Sequence, residues 1–426
     1  MEPTHQSVEH LNAQCCITGG GPAGVMAGYL LARAGVDIIV LEKHQDFLRD
    51  FRGDTVHPST LQVLYELGLL EGFLQRAHQE YRKLGIRFGD IGAEIADFSH
   101  LPTHCKFIAL MPQWDFLNYL TEAGRKFPGF QMKMQYEVTD LLEESGRIVG
   151  VKGKTANGAF ELRAHLTIGA DGRHSVVREK AGLEIEDLGA PMDVLWMRMP
   201  KKPDDSYYAL GHLKKGKMLV TINRGDYWQC AYIIFKGAFP QIQQRGLPAF
   251  RDDIADVAPF LSDRTVTLRD WKDISLLSVR VDRLRNWSRP GLLCIGDSAH
   301  AMSPVGGIGI NLAIQDAIAA ANILAAPLRQ NHVRQDDLRA VEKRRIRPTR
   351  WTQALQVQAH KRVVEPTLSG QASFAKLPFV VSLLNNYPLL RRFPARLVGM
   401  GLRPEHVKIP PAATPRQAPT GSAGLP

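Results

Sequence analysis

The chain has 426 residues, 44% of them hydrophobic, enough to bury a large core and to fill two packed domains plus a C-terminal part. Its formal net charge is +10, yet no recognition motif or aromatic-interleaved basic run accompanies the excess, which argues against nucleic-acid binding. The first fourteen residues are polar and lack a secretory signal, no run approaches the unbroken apolar length of a membrane span, and the five cysteines include no CxxC pair and no metal-like His spacing. A reducing cytoplasm and no bound metal are expected.

The first element is a short strand at 15–18, followed by Gly19-Gly20-Gly21-Pro22-Ala23-Gly24 in GxGxxG spacing. Glycines so placed serve a tight turn, close approach of backbone to a pyrophosphate, and close packing of helix on strand. Pro22 suits a first helical turn, where its missing N–H would be unpaired anyway. Ala27, Leu30, Leu31 and Ala34 recur at helical spacing, and Gly35 ends the helix. A second strand at 36–41 delivers Glu42, eighteen residues beyond Gly24, with Lys43 beside it. A carboxylate there accepts hydrogen bonds from an adenosine ribose. Strand, glycine turn, helix, strand and acid in this order read as a dinucleotide site, without saying which dinucleotide.

Arg52 and His57 follow in a loop before a leucine-rich helix at 61–70. The run 84–110 alternates like a strand through Gly85-Ile86-Arg87-Phe88-Gly89 and should join a second sheet. A strand at 166–169 leads into Ala170-Asp171-Gly172-Arg173-His174-Ser175, where Ser175 could cap the next helix. Between 183 and 285, β-type runs dominate at 194–199, 218–222 and 228–235. Trp196, Met197, Tyr208, Met218, Tyr227 and Trp228 could line a pocket or fill a core, and alternation alone does not say which face is which.

The apolar run 292–295 reads as a buried strand ended by Gly296, leaving Asp297 at a strand's carboxyl end, where open α/β sheets bind ligands. After Pro304, the glycines 306, 307 and 309 feed a helical run through Leu312, Ala313, Asp316 and Ala317. Such a turn presents free N–H groups and a positive dipole end, roughly +0.5 charge, to something electron-rich. His300 reads as a structural hydrogen-bonding residue, and Lys343, Arg344, Arg345, Arg347 and Arg350 as a solvated helix face. The run 374–400, broken by Pro378, Pro388 and Pro394 and carrying Arg391, Arg392 and Arg396, packs on the body, meets a second subunit in a homodimer, or lies on a membrane surface as a peripheral contact. The tail 410–426 is rich in Pro, Ala, Thr and Gly and should be disordered.

Three motifs, at 19–24, 169–178 and 296–311, stand in the order found in class A flavoprotein monooxygenases. These are the single-component FAD hydroxylases related to para-hydroxybenzoate hydroxylase and the ubiquinone-biosynthesis hydroxylases. The chain resembles that family over about residues 14–326: the second motif looks like its DG motif, and Gly296, Asp297, Pro304, Gly307, Gly309 and Asn311 match its GD motif. The resemblance implies FAD as cofactor and NADH or NADPH as co-substrate. It implies a doubly wound, GR2-type Rossmann-like α/β domain (1–82, 106–182 and 286–330) interleaved with a mainly antiparallel sheet domain for substrate (83–105 and 183–285), then C-terminal helices (331–409).

By the same resemblance Asp297 holds the ribityl chain, and the backbone through Gly307, Ile308, Gly309, Ile310 and Asn311 meets the pyrimidine edge of the flavin. Pro304 borders flavin and substrate, the Asp171–Gly172 turn contacts the pyrophosphate region, and Arg52 meets a phosphate or ribose. Gln113 stands where many relatives carry Arg and the para-hydroxybenzoate type carries Gln, and either touches the cofactor. The implied activity is hydroxylation or epoxidation of an apolar, aromatic, polyketide-like or isoprenoid-like small molecule with O2, through a C4a-hydroperoxyflavin. An O2-independent reductase of the prenyl-reductase type is the alternative on the same fold. No side chain is then required to attack the substrate.

Overall fold

The computed structural model describes residues 8–48, 55–205, 210–372 and 376–412. Arg52, Tyr208, the start of the 374–400 run and the tail from 413 lie outside the described residues.

Five parallel strands form the centre of the eight-stranded cofactor-side sheet in the order Leu292–Cys294, Gly158–Gly169, Glu9–Thr18, Ile38–Glu42, Phe130–Met134, with Ser288–Arg289 antiparallel beside the first. Of the parallel five, all but Phe130–Met134 are buried on both faces at their carboxyl ends, so those ends read as unbroken apolar runs rather than alternating ones. An antiparallel pair, Glu137–Glu144 and Arg147–Thr155, extends from the long strand Gly158–Gly169. Register fixes the function of the sheet: Thr18 pairs with Gly169 and with Leu41, and Gly169 pairs with Cys294. The carboxyl ends of these strands are therefore level, and the residues that follow them meet along one edge.

Helix Pro22–Arg33 lies in the core, with ten of its residues buried. It packs against Gly309–Arg329, whose small and apolar residues are buried along nearly its whole length. That second helix, counted from Val305, is long and apolar enough to cross a membrane, against the expectation that no segment would be, and most of it is enclosed in protein. Asn311, Gln315 and Asp316 interrupt its apolar run, which is why the sequence does not show it as a span.

The second sheet runs Ser275–Ser278, Met192–Pro200, Tyr227–Phe235, Lys217–Asn223, Gly211–Lys214, Lys83–Phe88, Ile91–Asp97. It is antiparallel except where Gly211–Lys214 pairs with Lys83–Phe88. Its two faces separate the aromatics that periodicity could not. Met197 and Trp228 face a core with Phe250 and Ile254 of helix Leu247–Val257. Trp196, Met218, Val220, Ala231 and Ile233 face the other way, and Val305 packs among them.

Helix Gln335–Ala359 continues into a π-helical turn, His360–Val364. Helices Phe379–Asn386 and Arg392–Met400, joined by a 3₁₀ turn at Pro388–Arg391, pack on the edge strand Ile91–Asp97. The expected solvated face of the basic run holds for Lys343, Arg347 and Arg350, but Arg345 is fully buried and Arg344 is ion-paired to buried Glu405.

Candidate active site

The glycine turn after Thr18 divides its labour among three residues. Gly19 has φ +97, and a Cβ there would stand 2.4 Å from the Ala170 carbonyl oxygen. A Cβ at Gly24 would stand 2.0 Å from the Gly19 carbonyl oxygen, so helix and turn touch through hydrogen alone. A Cβ at Gly21 would meet nothing within 4 Å. The turn is thus closed against protein at its first and last glycine and open at the middle one. Gly21 caps helix Pro22–Arg33 without a side-chain acceptor, so the helix start has unspent N–H groups, the arrangement that receives a pyrophosphate. Glu42 lies at the next strand end. Its Oε2 accepts from Gly20 N at 3.0 Å and its Oε1 from His44 N at 3.0 Å, which ties the acid to the glycine turn; Lys43 beside it is exposed.

The second motif braces itself. Asp171 accepts from Ser175 Oγ at 2.5 Å and from Val177 N at 3.2 Å, while Ser175 Oγ accepts from Arg178 N at 3.0 Å and caps the short helix. Burial pushes the Asp171 carboxyl up, against the opposing effect of those donors. The carboxylate is spent on the loop; the open backbone at Gly172, φ +85 with nothing within 4 Å of a Cβ, is the part of this motif free to meet a ligand. Arg173 Nη2 reaches Asp297 Oδ2 at 3.3 Å, and Arg178 donates to the carbonyls of Ser298 and Arg173. Both arginines stand in the second motif, and the sequence assigns them no role; in the structure they join that motif to the third.

Asp297 sits in the turn Gly296–Ser298 with a third of its side chain exposed. Behind it, Gly296 N donates to Asp316 Oδ2 at 3.1 Å. His300 Nε2 contacts the same oxygen at 2.5 Å, and Arg345 Nε donates to Asp316 Oδ1 at 2.9 Å. Arg345 reaches on to Glu405 and to the Arg403 carbonyl. Burial alone would raise the Asp316 carboxyl, but His300 and Arg345 hold it below the usual carboxylate range. His300 is therefore a structural partner of Asp316, and the whole network fixes the backbone from which Asp297 projects.

The glycine-rich loop closes on the residues around His57. Thr55 Oγ1 donates to the Gly307 carbonyl at 2.9 Å, and a Cβ at Gly307, φ +63, would stand 2.6 Å from that hydroxyl. Asn311 Oδ1 accepts from His57 N at 3.0 Å and Thr60 Oγ1 at 2.7 Å, so its side chain serves the protein. Helix Gly309–Arg329 begins at Ile308 with no side-chain cap, which leaves the first N–H groups at Gly309 and Ile310 for a ligand. Gln113 opens helix Gln113–Gly124 and is half-buried.

A clamp on the Pro304 loop was not foreseen. Gln356 accepts from Ser303 N at 3.1 Å and donates to the carbonyls of Ser303 and Val305, at 2.9 and 3.0 Å. His360 Nε2 meets Ser303 Oγ at 2.7 Å, and Gln353 donates to the carbonyls of Asp282 and Ala301. One face of the basic helix thus holds residues 301–305 by their backbone. Opposite the loop, Trp196, Val220 and Ala231 present an apolar sheet face, with Val305 against it. Val398 and Met400 of the C-terminal helices flank Ile222 and Trp196 on the same side. The result is a level row of anion-accepting backbone, a partly exposed carboxylate and an apolar wall, a set of groups that fits FAD.

The comparisons agree with this geometry. The family model described as an FAD binding domain matches residues 12–354. The 6-methylpretetramide 4-monooxygenase of Streptomyces rimosus is 32% identical over 88% of this chain and 90% of its own length. An aromatic compound monooxygenase of Bacillus subtilis, YhjG, is 25% identical over 74% of this chain and 62% of its own length. Among solved structures, the anhydrotetracycline hydroxylase OxyS from Streptomyces rimosus superimposes with a TM-score of 0.73 at 22% identity, covering 92% of this chain and 77% of that one. The chain belongs to the FAD-binding flavoprotein monooxygenases, and it is an FAD enzyme that takes NAD(P)H as co-substrate.

Proposed function

We propose that the enzyme hydroxylates a fused-ring aromatic compound of polyketide type. The observation that carries this reading is the apolar wall of Trp196, Val220 and Ala231 set against Val305, one residue from Pro304, which suits a flat apolar substrate. The relative that acts on 6-methylpretetramide, matched over nearly its whole length, supports the same class. FAD, when bound, would supply the two electrons of NAD(P)H to O2, so that one oxygen atom could enter the substrate and the other leave as water.

This chain's residues bind, orient and shield. The open turn at Gly21 and the backbone at Gly172 receive the pyrophosphate, with Glu42 shared between Gly20 N and a ribose. Asp297, steadied by Arg173, accepts from a ribityl hydroxyl. The start of helix Gly309–Arg329 offers N–H groups to the electron-rich pyrimidine edge and favours negative charge there. The sheet face keeps water away from the reacting atoms. The division into a cofactor domain of three segments and a substrate domain of two is part of this reading, as is a cytoplasmic location, which the five buried and unpaired cysteines suit.

The test is NADPH oxidation, oxygen uptake and peroxide followed together with 6-methylpretetramide, anhydrotetracycline and para-nitrophenol. Oxygen uptake matched by hydroxylated product from a fused-ring compound, and not from para-nitrophenol, is expected. Turnover of para-nitrophenol alone would overturn the substrate class, and product formed without oxygen uptake would select the reductase alternative.

A further inference from the structure

The outer face of the C-terminal helices is apolar, basic and uncovered. Phe379, Val380 and Leu383 on helix Phe379–Asn386, Tyr387 and Leu389 at the following turn, and Phe393 on helix Arg392–Met400 are all exposed, Phe379 to 80% and Phe393 to 71%. Isolated exposed apolar residues need no explanation, but a contiguous set of large ones marks a contact surface. The inner face is fully used. Ala395 is buried, and a Cβ at Gly399 would stand 2.7 Å from Leu101. Arg391 donates to the carbonyls of Leu384 and Asn385 and ion-pairs with Glu94, which staples both helices to the edge strand. The helices are therefore docked on the body and rigidly present their other side.

Charge decides what covers it. Residues 376–403 contain no Asp or Glu, while Lys376, Arg392 and Arg396 are exposed around the aromatic residues and pair with no carboxylate among the described residues. A two-fold dimer through this patch would face this set of cations with the same set from the partner, with no Asp or Glu among residues 376–403 to offset them. An anionic lipid surface meets both demands at once: apolar side chains enter the acyl boundary while Lys and Arg stay among the headgroups.

We propose that helices Phe379–Asn386 and Arg392–Met400 are a docking face for anionic lipid bilayers. The location gives the contact a purpose. Helix Arg392–Met400 turns Val398 inward to the cluster that contains Ile222 and Trp196, and its Val398 carbonyl accepts from His57 Nδ1 at 2.7 Å. The helix that rests on the bilayer also flanks the apolar sheet face at Trp196 and Ile222, which shortens the path of a poorly water-soluble substrate and its product between membrane and enzyme. That last step rests on the apolar-substrate reading above; the docking itself does not.

The experiment is flotation of the FAD-loaded full chain with vesicles of phosphatidylcholine, and of phosphatidylcholine with a quarter phosphatidylglycerol, without substrate. Wild type is expected on the anionic vesicles and released by raised salt. A doubly substituted Arg392→Gln/Arg396→Gln protein is expected to partition about twenty-fivefold less, near fivefold for each charge removed. Phe379→Ser/Phe393→Ser is expected to lose at least about tenfold through its apolar contacts. Both variants should keep wild-type FAD content and NADPH oxidation, since neither pair touches the cofactor side. Absence of wild type from anionic vesicles, or equal binding by wild type and both variants, would overturn the proposal. So would a wild-type dimer in solution that Phe379→Ser/Phe393→Ser turns into a monomer. Because no substrate is present, these outcomes are independent of the substrate class.

Discussion

At the scale of single residues, the glycines of the first motif differ in what a methyl group would meet, and that difference is measurable. Gly21→Ala adds a Cβ to open space at an extended backbone, φ −77, so folding stability should change by less than about 1 kcal/mol. In the proposed placement the methyl group occupies the room of the pyrophosphate, and FAD affinity should fall by at least about tenfold, a loss of about 1.4 kcal/mol. Gly24→Ala drives its Cβ into the Gly19 carbonyl and should cost several kcal/mol of stability before any ligand is added. Urea unfolding of the two apoproteins, with FAD titration by fluorescence quenching, separates the cases; equal stability loss in both would refute the division of roles. Asp297→Ala removes a charged acceptor, and FAD should bind about ten to a hundredfold more weakly. Unchanged affinity and unchanged flavin reduction by NADPH would remove Asp297 from the site.

At the scale of elements, the strand ends and the glycine turns were legible, because each is a local pattern with one physical meaning. The 301–305 clamp was not. Gln353, Gln356 and His360 fall on one face of the basic helix, and polar residues at helical spacing read as a solvated side until the loop they hold is seen. Arg345 was misread for the same reason. Its partner Asp316 is 29 residues away in sequence and Glu405 is 60, and no periodicity links them. The clamp makes a prediction that a general loss of stability would not. Gln356→Glu keeps the acceptor for Ser303 N but loses both donors to the Ser303 and Val305 carbonyls, worth about 2 kcal/mol together. The loop proposed to border flavin and substrate then loosens while the glycine turn after Thr18 is untouched. FAD affinity should stay within about threefold of wild type. The share of NADPH that ends as peroxide instead of product should rise at least about twofold. Peroxide and product quantified in one assay check this, and an unchanged ratio would make Gln356 a stabilising residue only.

At the scale of the whole molecule, acid stability depends on histidines that folding forces to stay neutral. Burial holds His57 down to about 4 from an ordinary 6.5, the Val398 carbonyl opposing only in part, and its Nε2 is enclosed without a partner among the described residues. Burial lowers His360 as well. The unfolded chain therefore takes up protons near pH 6.5 that the folded chain refuses until about pH 4, so stability is complete above about 6.5 and falls as pH drops toward 4. Asp316 works in a different window: its lowered carboxyl contributes stability above the ordinary carboxylate pKa and loses it only in stronger acid. Between pH 6.5 and 4 His57 alone contributes about 3 kcal/mol of decline. Two elements would feel that loss together, because His57 joins Asn311 of the flavin loop through its backbone and helix Arg392–Met400 through its ring. The urea midpoint of wild type should drop steeply between pH 7.5 and 4.5. His57→Gln, which carries no titrating group, should start lower at pH 7.5 through lost packing and show a flatter decline. Parallel declines in the two proteins would place the acid sensitivity elsewhere.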